Sequence, residues 1–251
     1  MIRFVILLMI FSGSSWAGKQ LIVESGLKQT ALVELYTSEG CSSCPPADKW
    51  LETLIDIPKD ELDTLALAFH VDYWDYIGWK DPYASASYTQ RQRNLGRINL
   101  QRSIYTPEFF VDGQEARGTR NVISQIKQSN DQDASIKLKL IIEKVQQELK
   151  LNLLISGDLD ETMNQFRFII YENGLSSDID AGENSGRILR HQRVVRYMSP
   201  AMPVEQMAQL DIEIDPKWKV ENIGVVAWVF DPDRQATQQL VYSDISSLLE
   251  P

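Results

Sequence analysis

The sequence predicts an α/β unit built on parallel strands, followed by an antiparallel β-sandwich. Three observations carry this reading. Apolar runs of strand length alternate with helical patterns between residues 30 and 129; the polar stretch Ser129-Asn130-Asp131-Gln132-Asp133-Ala134-Ser135 then breaks the periodicity; and short β-rich runs follow it at fairly regular spacing. With 251 residues, 43% of them hydrophobic and 24% charged, the chain has an ordinary globular composition and room for one or two domains. A formal net charge of -10 sets nucleic acid aside as a partner, because phosphate binding needs a basic face.

The chain opens on a short positive segment, Met1-Ile2-Arg3. An unbroken apolar run from Phe4 to Phe11 follows, and then Ser15-Trp16-Ala17, with small residues at the positions a signal peptidase reads. The apolar run is too short to span a bilayer as a helix, and no cysteine follows it to carry a lipid. A retained anchor is the alternative. The expectation is a signal peptide over 1–17, cleaved before Gly18, and a periplasmic or secreted mature protein. It would divide into an α/β domain over 18–130 and a β-sandwich domain over 131–251.

Gln20 to Glu24 predicts a short extra strand, and Thr30 to Thr37 a buried one. Pro46 to Ile57 predicts a helix, since prolines are tolerated in a first turn whose amide hydrogens have no helical partner, and Pro58 stops it. Leu65 to Val71 is a second buried strand. Ala84 to about Leu100 is a polar helix, with Arg91, Arg93, Arg97 and Arg102 on it or just beyond it. Thr106-Pro107 precedes a strand at Glu108 to Val111, Asp112-Gly113 makes a hairpin turn into Gln114 to Gly118, and Thr119 to Ser129 closes the unit as a helix.

Strands joined through a helix run parallel with a right-handed crossover, so their C-terminal ends share one edge of the sheet. The loop from Asp72 to Tyr83 leaves from that edge, where open sheets bind ligands. Beyond the polar break, Ile136 to Glu143, Glu148 to Ser156, Phe166 to Glu172, Arg190 to Met198, Val220 to Phe230 and Gln238 to Ser243 predict strands. With turns at Asn173-Gly174 and Asp231-Pro232-Asp233, they suggest a sandwich of immunoglobulin-like layout.

Cys41 and Cys44 are the only cysteines, and they sit where the first buried strand hands over to the first helix. In an oxidising compartment such a pair can form a persistent bond. Two thiols cannot make a four-thiolate zinc site within one chain. Two thiolates plus histidine remain open on ligand count, but His70 and His191 are remote in sequence, and no metal or cofactor is expected.

A Cys-x-x-Cys opening the first helix and a Thr-Pro dipeptide before the third strand resemble the thioredoxin-like superfamily. More narrowly, three segments look like the secreted bacterial family catalogued as domain of unknown function 1223. They are Glu34-Leu35-Tyr36-Thr37-Ser38-Glu39-Gly40-Cys41-Ser42-Ser43-Cys44-Pro45-Pro46, Val71-Asp72-Tyr73-Trp74-Asp75 through Gly78-Trp79-Lys80-Asp81-Pro82, and Gly182-Glu183-Asn184-Ser185-Gly186-Arg187. The match spans most of the mature chain and implies a fold without an established substrate. The superfamily resemblance implies a cis peptide bond at Thr106-Pro107, whose backbone would pair with an extended substrate segment. It also implies a buried acid near the resolving cysteine, a role Glu34 could fill as proton acceptor for Cys44. The other reading of Glu34 is a salt bridge to an arginine of the second helix.

If Cys41 caps the helix, its thiolate faces unpaired amides and the positive end of the helix dipole, which lowers its pKa and favours it as the attacking nucleophile. Cys44 would then resolve the mixed disulfide. Trp74 and Trp79, with Tyr73, Tyr76 and Tyr83, could recognise a polypeptide or pack as a satellite core. Asp72, Asp75 and Asp81 match no calcium loop. Arg187, Arg190, His191, Arg193 and Arg196 are expected on a solvated strand face, with docking of the 182–186 loop against the first domain as the alternative.

The expected function is an exported thiol-disulfide oxidoreductase acting on a polypeptide thiol or disulfide, with a membrane redox partner among the candidates. The alternative is a binding module, for metal or an envelope partner, whose disulfide is structural.

Overall fold

The computed structural model describes residues 19–158 and 164–249, so the predicted signal peptide lies outside the described residues. The chain is a mixed α/β protein with two large sheets and few helices. After β1 (Gln20–Glu24) come β2 (Ala31–Thr37), α1 (Pro45–Ile55), β3 (Thr64–His70), α2 (Ala86–Ile98), β4 (Glu108–Val111), β5 (Gln114–Glu115) and α3 (Thr119–Asn130). β2 and β3 are parallel, β4 runs antiparallel to β2, and the local strand order is β3-β2-β4-β5.

Period-two alternation assigns the faces of this sheet. Ala31, Val33 and Leu35 meet Leu51 and Leu54 of α1 and Val122 and Ile126 of α3. Leu32 and Tyr36 point the other way, into a core shared with Tyr88 and Leu95 of α2. Every residue of β2 and β3 is buried, as strands covered on both faces require.

The rest of the chain contributes β6 (Ile136–Val145), β7 (Glu148–Gly157), β8 (Gln165–Glu172), β9 (Leu175–Asp178), β10 (Ile188–His191), β11 (Val194–Met198), β12 (Met202–Pro203), β13 (Met207–Glu213), β14 (Ile223–Phe230) and β15 (Thr237–Asp244). β6 and β7 alternate buried and more exposed residues. Their inward faces, including Leu140, Leu151 and Leu153, pack against Phe168 and Ile170 of β8 and Val225 and Val229 of β14. The four-stranded sheet therefore faces the antiparallel part of the larger sheet.

The two layers are joined to the first half through both sheets. β8 pairs with β11, and β11 pairs in parallel with β3 through Val194 and Ala68, giving one nine-stranded sheet through both halves. β1, from the first half, adds to the four-stranded sheet beside β6. Residues 130–131 mark a change from mixed to all-β elements, not a break between sheets, and a break in local periodicity carries no information about which edges later pair.

The expected single strand from Arg190 to Met198 is two. Arg193 has φ 50°, the chain turns there, and β10 joins β9 in a small two-stranded sheet while β11 enters the large one. β9, β12 and β13 carry no apolar run to announce them; of β13 only Ile212 is buried.

Candidate functional site

The cysteine loop leaves β2 at the C-terminal edge of the parallel pair and enters α1. Cys41 and Cys44 form a disulfide with Cα atoms 5.4 Å apart, and both residues are fully buried. The sequence reading placed Cys41 at the helix cap, but that position belongs to Cys44, whose carbonyl accepts from Ala47 N at 2.8 Å and Asp48 N at 3.1 Å. Cys41 lies one turn earlier, with Cys44 N donating to its carbonyl at 3.2 Å. The two prolines at 45 and 46 shift the first helical residue to Pro45, because neither has an amide hydrogen to give to an earlier turn.

The 182–186 loop closes over this turn. Asn184 Nδ2 donates to Glu39 O at 2.8 Å and to Cys41 O at 3.0 Å, while its Oδ1 accepts from Arg187 Nη1 at 3.0 Å. Glu183 Oε2 accepts from Ser42 N at 3.0 Å, and these bonds hold the exposed carboxyl below its ordinary range. The arginine-rich run after the loop is therefore not simply a solvated strand face. His191 is buried, Arg193 stacks over Tyr171 and Tyr242, and Arg196 lies over Tyr83 and 3.5 Å from Glu172. Gly40 is closely packed: a Cβ there would come 3.2 Å from both Trp74 and Ile77, so a side chain would press on them.

Trp74 links the cysteine loop to Thr106. Its Cβ and carbonyl lie against Gly40, and its indole Nε1 donates to Thr106 Oγ1 at 2.7 Å. The Thr106-Pro107 peptide bond is cis. Trp79 Nε1 donates to Glu39 Oε2 at 2.9 Å, two residues before Cys41. Trp74 and Trp79 are thus both anchored at the site by their indole N–H groups, while Tyr76 is 81% exposed.

Glu34 is a correction. It projects from the face of β2 that packs on α2, whereas Cys44 belongs to α1 on the opposite face. Its carboxylate accepts from Arg91 Nε and Nη2, both at 2.6 Å, and from the Tyr36 hydroxyl at 2.8 Å. This bidentate pair satisfies a buried charge; it leaves no route from Glu34 to Cys44.

The α1 face of the same strands holds a polar chamber that sequence reasoning missed. His70 Nδ1 lies 2.7 Å from Asp81 Oδ2, which also accepts from Glu39 N at 2.9 Å. His191 Nε2 lies 2.9 Å from Glu39 Oε1, and the two imidazoles meet edge to face, centroids 4.9 Å apart. Asp48, one helical turn after Cys44, and His191 border a cavity of about 300 Å³ between α1 and β10, with Pro45 on its wall. His70 Nε2 and His191 Nδ1 are buried without a hydrogen-bond partner among the described residues, and Asp48 lies beside Thr37. The only sequence signal was that these are the chain's two histidines; the pairing of β3 with β11, which carries β10 alongside, brings them together.

Burial raises the Asp48 carboxyl above its ordinary range, an effect that the charges of His191 and His70 only partly offset. For His70, burial opposes the cation, but the Asp81 charge and hydrogen bond outweigh it and raise its pKa. For Asp81, burial opposes ionisation, and His70 with the amides of Glu39 and Tyr83 overcomes this, so its carboxyl titrates below the usual range. Among the described residues no group of three or more His, Cys, Asp or Glu side chains is arranged to hold a metal ion.

Fold and site together define a mixed α/β protein with a buried disulfide at a helix N-terminus, overlaid by a loop from its C-terminal half. The chain belongs to the family described as Protein of unknown function (DUF1223), whose model matches residues 32–230. A search of curated proteins finds no match. Two solved structures share the fold. A crystal structure of an Agrobacterium tumefaciens protein is 21% identical, covers 86% of this chain and 94% of its own, and superposes with a TM-score of 0.62. HBP35 of Porphyromonas gingivalis is 15% identical, covers 88% of this chain and 76% of its own, and gives 0.65.

Proposed function

We propose that the protein is an exported thiol-disulfide oxidoreductase acting on polypeptide thiols. The observation that carries this reading is the Cys41–Cys44 disulfide at the N-terminus of α1, on the edge where β2 and β3 end. The strand order β3-β2-β4-β5, with one parallel and two antiparallel pairings, supports a thioredoxin-like unit; the facing antiparallel layers support a sandwich of immunoglobulin-like layout. Export to the periplasm rests on the character of residues 1–17.

In the oxidising direction, a partner thiolate attacks Sγ of Cys41. The Cys41–Cys44 bond breaks, and Cys44 leaves with the electron pair as a thiolate that takes up a proton. A second partner thiolate then attacks the partner's own sulfur in the mixed disulfide and releases Cys41. The partner loses two electrons and the protein gains them; the reverse sequence, with Cys41 attacking and Cys44 resolving, returns them. The helix N-terminus favours the thiolate form of whichever sulfur faces it. Because both cysteines are buried, attack requires the 182–186 loop to move off Cys41.

A second reading has its own support. Complete burial of both cysteines, with Asn184 bonded to the Cys41 carbonyl, suits a binding module whose disulfide braces the loop. The reduction potential of the pair, together with trapping of partners by Cys44→Ser, decides between them. Reduction by physiological dithiols and capture of a polypeptide through Cys41 are expected. A disulfide that resists every such reductant, with nothing captured, leaves only the binding module.

A further inference from the structure

A cleft of about 460 Å³ opens between α2 and the segment that leads into Thr106, and Arg93, Arg97 and Arg102 line it. The neutral groups Gln90, Gln101 and Ser103 complete its polar wall, and no carboxylate lines it. On a chain of net charge -10 this is an unusual concentration of one sign. Elsewhere Arg91, Arg117 and Arg196 each face a glutamate. The guanidinium groups of Arg93 and Arg102 form no hydrogen bond or ion pair with any described residue, so their donors remain unspent. Arg97 uses part of its capacity on Arg93 O and Asn94 Oδ1.

Glu115, which borders a neighbouring cavity with Arg102, is taken up by Tyr105 and Arg117, and the other carboxylate near this wall, Glu108, is already occupied. It is buried and accepts from Gln92 and from Gln101, whose Nε2 lies 2.7 Å from Oε1. Burial raises its pKa despite those two bonds, which weakens its hold on the arginines further. A chain of contacts leads from the cleft toward the disulfide. Ile104, on its wall, is two residues from Thr106, which is bonded to Trp74, and Trp74 packs on Gly40 beside Cys41. An extended peptide advances ~3.3 Å per residue, so one extended segment can follow that path.

We infer that this cleft docks an acidic stretch of the polypeptide partner, on the same segment as the cysteine that exchanges with Cys41. The inference names the substrate class of the oxidoreductase proposed above and rests on that reading. Guanidinium forks bind carboxylates bidentately and steer them from a distance. The otherwise acidic surface repels the same partner in wrong orientations, so the cleft supplies register as well as attraction.

The test separates binding from exchange. A synthetic peptide with several Asp and Glu residues beside a single Ser, in place of the exchanging Cys, is titrated against the oxidised full chain, beside a matched Asn/Gln peptide. The acidic peptide should bind about tenfold more tightly at low salt, and Arg93→Gln/Arg102→Gln should remove most of that preference and of its salt dependence. Equal binding of the two peptides, or an unchanged preference in the double variant, overturns the inference. So does arginine-dependent binding to phosphatidylglycerol vesicles with none to the peptide. The Cys-containing peptides then report on chemistry. Exchange at equal rates with acidic and neutral forms leaves the oxidoreductase standing and removes the cleft's role; arginine-dependent binding of the acidic peptide with no exchange keeps the acidic-segment site and removes the oxidoreductase.

Discussion

Two buried polar groups lie on opposite faces of the same parallel strands, and they are finished differently. On the α2 face, Glu34 is held by Arg91 and Tyr36, and Arg91 also donates to Gln235 Oε1 at 2.8 Å and lies over the Trp228 ring. Each oxygen of Glu34 has a partner. On the α1 face, His70 and His191 each keep a buried ring nitrogen without one among the described residues, and Asp48 lies beside Thr37. A buried polar atom left unbonded costs about 1–3 kcal/mol, and a sequence that closes one network completely has the means to close the other. The contrast separates a structural ion pair from a chamber whose groups are left able to exchange protons or accept a visitor, directly beneath the cysteine loop.

The contrast breaks most visibly at its closed side. Glu34→Gln leaves Arg91 buried and uncompensated, so it should lower unfolding stability by about 3–5 kcal/mol in a denaturant titration. The reactivity of the disulfide toward a small dithiol should stay as it was. A slowed exchange in a variant that still folds would tie Glu34 to the disulfide. Leu140→Ala, in the apolar interface between the layers, should cost about 2–5 kcal/mol, again without a change in disulfide reactivity. A shift in that reactivity would show that the interface and the site are coupled through the continuous sheet.

Much of this arrangement was legible beforehand, and the misses share a cause. β2, β3 and α1 announce themselves through local pattern, and Cys41, Cys44, Trp74, Trp79 and the Thr106-Pro107 dipeptide fall around one edge because that edge follows from strand-helix-strand connectivity. Glu34 was misassigned because sequence spacing does not say which face of a two-sided strand lies over the helix. Docking of the 182–186 loop was only an alternative, and the place of His191 was not readable, because their partners stand about 150 residues away; Asn184 reaches Glu39 and Cys41 at separations of 145 and 143. Those contacts depend on β11 joining β3 in parallel, a pairing that no local pattern encodes. For the same reason no local pattern announces that strands from both sides of residue 130 share one sheet.

Asn184 tests the cover over the disulfide. Asn184→Ala removes the donor to Glu39 O and Cys41 O and should cost about 1–3 kcal/mol through the carbonyls left behind. It should also speed reduction of the disulfide, read as the rate of thiol appearance with excess dithiol. Slower or unchanged reduction would mean that the 182–186 loop does not gate Cys41.

The smallest effect is the most specific to the open side of the comparison. Asp48 has a folded pKa above its ordinary 3.8, so its neutral form is the stabilising one: that contribution is complete below 3.8 and is lost as pH rises through the raised value. His70, raised above 6.5 by Asp81, adds stability that is complete below 6.5 and is lost as pH rises through its own folded value. Asp81, lowered, contributes above 3.8 and loses its share as pH falls through the depressed value. The oxidised protein should therefore be most stable at mildly acid pH and weaken toward the alkaline side. Asp48→Asn abolishes one of these titrations without adding charge. Its stability should fall less steeply with rising pH than that of the wild type, in denaturant titrations from pH 4 to 9. Parallel profiles would mean that the Asp48 carboxyl is not linked to folding and that the chamber holds no exchangeable proton there.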